Sequence, residues 1–188
     1  NTYPYRHPSA AGLKRYAELD LPLMLQYKNN AIQKLIVDGK IPKPSVSIDY
    51  IPIDLASKSF KSDFEKINWD WNCPTICVFE GISYYLPLET LKHIVDVFAE
   101  HLGPKSLLIM DYFPNYVRKN EGLQKIMRNI DQEGGEICLT YFTKPELQQL
   151  LKHYKIHSDR TEGELEPSFY RDRIIANQIG SIVVAEVR

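Results

Sequence analysis

Three short apolar runs in this chain end in an acid. They are Tyr16-Ala17-Glu18-Leu19-Asp20-Leu21-Pro22, Tyr50-Ile51-Pro52-Ile53-Asp54-Leu55 and Thr75-Ile76-Cys77-Val78-Phe79-Glu80-Gly81. If the runs are neighbouring parallel strands, Asp20, Asp54 and Glu80 gather along one sheet edge, where open α/β folds bind their ligands.

The segments between the runs support that frame. Leu13 to Asp20 reads as a short strand, and Pro22 opens a helix where a missing N–H costs nothing. Leu25, Ile32, Leu35 and Ile36 recur at helical spacing to about Val37, with Lys28, Asn29, Gln33 and Lys34 as a wet face. Val46 to Ile53 is a second strand, and Ser57 to Asn68 a weakly amphipathic helix. Thr75 to Phe79 is an apolar run of the kind buried on both faces of a parallel sheet. Pro87 to His101 carries Leu91, Ile94, Val95 and Phe98 on one stripe and stops at Gly103-Pro104. Ser106 to Met110 makes a fourth strand ending at Asp111. A polar helix from about Asn115 to Ile130 then departs from the alternation and reads as an insertion or lid. Thr143 caps a helix through Leu150 and Leu151, with Glu146 in its first turn. Tyr154 to Asp159 and Ser181 to Val187 are two final strands, joined by a polar loop around Arg160 to Ala176. The pattern predicts a doubly wound α/β sheet, mostly parallel, closed by an antiparallel C-terminal strand.

Composition narrows the function classes. The 188 residues, 44% of them apolar, suffice for one core, so 1–188 is expected to be a single domain with its lid or insertion near 114–135. With 23 basic and 24 acidic residues, a general attraction to nucleic acid or to an anionic membrane has no support. No stretch approaches the roughly 18 uninterrupted apolar residues of a membrane span. Cys73, Cys77 and Cys138 are odd in number and read as reduced thiols of a cytoplasmic protein, without metal-ligand spacing.

The motifs Glu18-Leu19-Asp20-Leu21-Pro22 with Tyr27-Lys28, then Tyr50-Ile51-Pro52-Ile53-Asp54-Leu55, then Pro74-Thr75 leading into Glu80-Gly81-Ile82-Ser83-Tyr84-Tyr85-Leu86-Pro87, resemble the leucine carboxyl methyltransferase family. That family of S-adenosylmethionine-dependent enzymes has a Rossmann-like sheet and includes polyketide O-methyltransferases. The resemblance covers nearly the whole chain and thins after about Tyr112. It implies that Asp20 accepts from the ribose hydroxyls of S-adenosylmethionine and that Asp54 and Leu55 hold the adenine. By the same resemblance Glu80 faces the methionine end or the pocket floor, and Tyr85 borders the substrate and orients the oxygen that takes the methyl group. Each has a plainer counterpart: an Asp at a strand end commonly caps a turn, and Tyr84 and Tyr85 could be packing residues. A carboxylate at Glu80, after so apolar a run, risks costly burial. Asp111 is a weaker candidate of the same kind.

The family's glycine-rich loop and the strand before it are absent from this chain, and Asn1-Thr2-Tyr3-Pro4-Tyr5-Arg6 resembles the loop's tail. The absent strand belongs at the sheet centre, so an upstream segment or a second chain is expected to complete the sheet. The expected reaction is in-line transfer of a methyl group to an oxygen acceptor. A carboxylate acceptor, on a small molecule or a protein C-terminus, needs no base at neutral pH. His93, His101, His153 and His157 do not follow the pocket-forming strand ends, which favours carboxyl methylation. Arg6 could pair with an anionic acceptor. The alternative is a truncated or decayed, non-catalytic module that keeps the fold, with or without the nucleoside pocket.

Overall fold

The computed structural model describes residues 3–134, 137–161, 164 and 180–188. Asn1 and Thr2, and most of the polar loop expected over 160–176, lie outside them. The chain divides into two compact units, Asn1–Asn68 and Trp69–Arg188, each with its own sheet.

In the first unit a short helix α1 (Tyr3–Arg6) precedes β1 (Tyr16–Asp20), α2 (Pro22–Val37), β2 (Ile48–Pro52) and α3 (Phe60–Glu65). β1 and β2 are parallel, with Tyr16 opposite Ile48 and Asp20 opposite Pro52. They need the long crossover that α2 supplies, since parallel neighbours cannot be joined by a tight turn. Leu25 and Ile32 are buried, as their spacing predicts. The wet face is narrower than expected: Lys28 turns inward, its ammonium 2.6 Å from Oε2 of Glu18, whose side chain is only 8% exposed. A carboxylate buried on β1 requires a cation, and α2 provides it. Arg15 ties the start of β1 to β2, donating to Oδ2 of Asp49 at 2.6 and 3.1 Å and to the Asn68 carbonyl at 2.5 Å. The helix expected over 57–68 contracts to α3, held by Phe60 and Phe64, both fully buried four residues apart.

The second unit contains β3 (Ile76–Phe79), α4 (Leu88–His101), β4 (Leu107–Tyr112), α5 (Asn115–Lys119), α6 (Glu121–Gly134), α7 (Lys144–Leu150), β5 (Tyr154–Thr161) and β6 (Ser181–Val187). Its strand order is β3-β4-β6-β5. β3 and β4 are parallel with Phe79 opposite Met110, and β6 runs antiparallel to both β4 and β5. Leu91, Ile94 and Val95 of α4 are fully buried, as are Leu108, Met110, Val183 and Ala185 of the sheet. The Phe98 ring meets Phe79 edge-on at 5.4 Å, and Tyr154 donates its hydroxyl to the Val95 carbonyl at 2.8 Å. Gly103, after α4, lies so close to the 71–72 backbone that a Cβ there would stand 2.5 Å from the Trp71 carbonyl oxygen.

Two expectations are corrected. β3 is not buried on both faces: Ile76 and Val78 are 59% and 50% exposed. Side chains alternate along a strand, and among the described residues only the face carrying Cys77 and Phe79 is covered. The single helix expected over 115–130 is two, because Asn120 takes an extended conformation and its side chain accepts the Leu123 N–H at 3.1 Å, restarting the helix as an N-cap does. No helix among the described residues is long and apolar enough to cross a membrane.

Candidate functional site

In the first unit the carboxyl ends of β1 and β2 lie side by side. The Ile53 N–H donates to the Asp20 carbonyl at 3.0 Å, so Asp54 leaves β2 beside the point where Asp20 ends β1. Both carboxylates are exposed. Asp20 accepts the Leu21 N–H at 2.7 Å, and Asp54 accepts the Ala56 N–H at 2.9 Å in an Asx turn, each through Oδ1 alone. Among the described residues each shapes its own turn through that one oxygen. Leu55 is half-buried next to Asp54, and Arg6 is exposed at the end of α1.

In the second unit the same kind of edge forms at β3 and β4. Glu80 is exposed, contrary to the burial that its apolar run suggests, because the chain turns sharply at Gly81 with φ at +71°. Only a residue tolerant of the left-handed region fits that turn cheaply. Asp111 fixes it: its Oδ2 accepts the Gly81 N–H at 2.8 Å, and its carbonyl accepts the hydroxyl of the fully buried Ser83. Asp111 thus positions the Glu80-Gly81 turn, a larger role than the turn cap its sequence position suggests.

Tyr84 and Tyr85 follow on that loop, their rings edge-on at 4.7 Å. Tyr84 stacks on Phe113 at 4.1 Å, and Phe113 lies 6.0 Å from Tyr141. The Tyr84 carbonyl accepts N–H groups from Leu139 and Thr140 at 2.7 and 3.1 Å. This aromatic strip packs on buried Val117, Leu123, Met127 and Cys138. Tyr85 therefore does pack, as its plainer reading holds, while remaining half-exposed. The sequence reading missed Phe113 and Tyr141. Both belong to short polar-flanked stretches with no period to mark them, and only the pairing of 113 with 142 brings them together.

Each unit thus gathers part of the predicted set at the carboxyl ends of a parallel strand pair: Asp20, Asp54 and Leu55 in one, Glu80 and Tyr85 in the other. Of the histidines, His101 bonds the Val97 carbonyl at 2.8 Å and His157 meets Glu186 at 2.7 Å, away from those edges. None of the three cysteines is in a disulfide, and burial pushes the Cys77 thiol up to about 12, so it stays protonated.

Comparison with known proteins bears on what these edges are for. The family model described as leucine carboxyl methyltransferase matches residues 1–99. The chain is 24% identical over 178 residues to the Bacillus subtilis (strain 168) protein named "Putative S-adenosyl-L-methionine-dependent methyltransferase YktD", covering 92% of this chain and 57% of that protein. It is 28% identical over 116 residues to a similarly named Mycobacterium ulcerans (strain Agy99) protein, covering 61% of this chain and 36% of the relative. The chain thus spans about half the length, or less, of these relatives. Among solved structures, "a putative methyltransferase" from Thermobifida fusca aligns with a TM-score of 0.65 at 15% identity, covering 93% of this chain and 63% of that one. A DUF574 family protein from Streptomyces avermitilis aligns at 0.63 and 14%, covering 95% and 77%. These likenesses show a Rossmann-like α/β fold.

Proposed function

Because the chain belongs to the leucine carboxyl methyltransferase family, we propose that it acts in transferring a methyl group from S-adenosylmethionine to an oxygen acceptor, most favourably a carboxylate. The observation that carries the reading is the pair of strand-end edges, one presenting the exposed carboxylates of Asp20 and Asp54 and the other that of Glu80, on short ordered turns. The donor set suits the cofactor: ribose hydroxyls, the adenine amine and the methionine ammonium all donate, and Asp20, Asp54 and Glu80 accept.

Bound S-adenosylmethionine supplies a sulfonium-activated methyl group open to in-line attack. The chain's own residues bind and orient. Asp20 accepts from the ribose hydroxyls, Asp54 from the adenine amine, and Leu55 lies against the ring. Glu80, set by Asp111 and Gly81, faces the ammonium end. Tyr85 orients the acceptor oxygen, and Arg6 pairs with an anionic acceptor. Such positioning is worth roughly 7–11 kcal/mol in well-oriented reactions. A carboxylate acceptor is already ionised at neutral pH, so this assignment of roles requires no general base.

Among the described residues β1 pairs only with β2, and β3 only with β4. Those single-sided pairings support the further reading that a strand from an upstream segment or a second chain completes the sheet.

Calorimetric titration of the full-length protein with S-adenosylmethionine tests the reading. Micromolar binding that weakens at least tenfold in Asp20→Asn supports it, followed by a base-labile methyl product with labelled donor. Absence of binding would sink it in favour of a non-catalytic module, and a base-stable product would replace the carboxylate by a hydroxyl.

A further inference from the structure

The α5–α6 turn carries a feature that methyl transfer as proposed leaves unused. Among the described residues, Arg118, Lys119, Lys125 and Arg128 line one open depression of about 490 Å³, with Gln124 and one acid, Glu121. Lys125 and Arg128 share a helix face by their three-residue spacing, and Arg118 and Lys119 come from the end of α5 across the break at Asn120. Among the described residues none of the four is ion-paired with a carboxylate. Among the described residues four cations face one acid there, on a chain of net charge −1.

A solvated helix face would also be charged, but this one is built into the aromatic strip. The Arg118 guanidinium lies over the Tyr141 ring, 5.4 Å from its centre. From Tyr141 the strip continues through Phe113 and Tyr84 to Tyr85, no step longer than 6.0 Å between ring centres. The hairpin beneath is firmly packed, with Val117, Leu123 and Met127 at most 2% exposed. The stacked guanidinium is held in place, so it binds an anion with less ordering cost than a free side chain.

Resting on the methyltransferase reading, we propose that this depression is an anion-recognition subsite of the acceptor. The acceptor carries, besides the oxygen methylated near Tyr85, a second anionic group, carboxylate or phosphate, that Arg118, Lys119, Lys125 and Arg128 hold. The apolar strip between the two ends accommodates the acceptor's body, and the charge at the far end selects against neutral analogues.

The test uses full-length protein and two probes, tripolyphosphate and tricarballylate, titrated calorimetrically into wild type and into Lys125→Gln/Arg128→Gln, both exposed positions whose change leaves the packed face intact. The expected result is saturable, salt-sensitive 1:1 binding of at least one probe, weakened at least tenfold in the variant, with shifts of the Tyr85 and Tyr141 ring resonances. Which probe binds tells phosphate from carboxylate. No saturable binding, equal binding by the variant, or tighter charge-dependent binding of duplex DNA or anionic vesicles than of either probe would overturn the subsite. S-adenosylmethionine is titrated into the same samples. Its binding unchanged beside lost anion binding marks failure of the variant subsite alone, whereas no cofactor binding by wild type would overturn the methyltransferase reading itself.

Discussion

Glu18 sits one residue before the last hydrophobic position of β1, where sequence alone would leave it in solvent, yet its carboxylate is buried against Lys28. Burial pulls the Lys28 ammonium down, and the hydrogen bond and charge of Glu18 outweigh it, so its pKa ends raised. The pair ties α2 to β1, the strand that ends at Asp20. Removing one partner strands the other: Lys28→Met should cost about 2–3 kcal/mol, below the full range for a buried pair because Lys28 keeps part of its surface in water. Glu18→Gln/Lys28→Met should recover most of that. Urea unfolding midpoints of the three proteins check both, and a single variant as stable as wild type would refute the assignment. Gly81 makes the matching point in the second unit. An added Cβ would meet only the Tyr84 hydroxyl, at 3.7 Å, so the positive φ rather than crowding demands glycine there. Gly81→Ala should cost about 1–2 kcal/mol of stability and, on the proposed role of Glu80 at the ammonium end, weaken S-adenosylmethionine binding in the calorimetric titration.

At the scale of elements, α7 shows how much of a helix a few residues can specify. Thr143 Oγ1 accepts the Glu146 N–H, and the Glu146 carboxylate accepts both the Thr143 N–H at 2.8 Å and its hydroxyl at 2.7 Å. Those bonds favour the charged form, first the Thr143 side chain and then its backbone, and lower the Glu146 pKa below its ordinary 4.5. A carboxyl held low in the folded state stabilises fully above its unfolded pKa, and that contribution fades as pH falls through the lowered value. Thermal melts of wild type and Glu146→Gln should therefore differ at pH 7 and converge in strong acid, while Thr143→Ala loses about 1 kcal/mol at neutral pH. A wild-type advantage that persists in acid would refute the linkage. The α5–α6 pair shows the opposite case. Its polar sequence reads as one helix, and the break at Asn120, where one side chain recaps the chain, is what brings Arg118 and Lys119 round to Lys125 and Arg128.

For the whole molecule, the telling feature is that β1 and β3 are each paired on one side among the described residues, and β3 shows two large apolar side chains to solvent. If a further strand completes the sheet, backbone amides of β1 and β3 in the full-length protein should exchange as slowly as those of β4, which is paired on both sides. Amide exchange followed by mass spectrometry decides this, and fast exchange at β1 and β3 would leave those edges open. The strand and helix order, the helix stripe of α4 and the antiparallel tail were all legible in sequence, since each follows from local period and turn chemistry.

The candidate site was legible in part. Asp20, Asp54 and Glu80 could be picked out because an acid closing an apolar run sits at a strand end whatever the rest of the chain does. Their exposure, the hold of Asp111 on the Gly81 turn, the inward pull of Lys28 and the strip from Tyr85 to Arg118 could not. Sequence fixes what repeats locally, because periodicity and capping act over a few bonds. Tertiary structure alone decides which distant side chains meet, because strand register and helix breaks turn separations of thirty residues or more into hydrogen-bond distances.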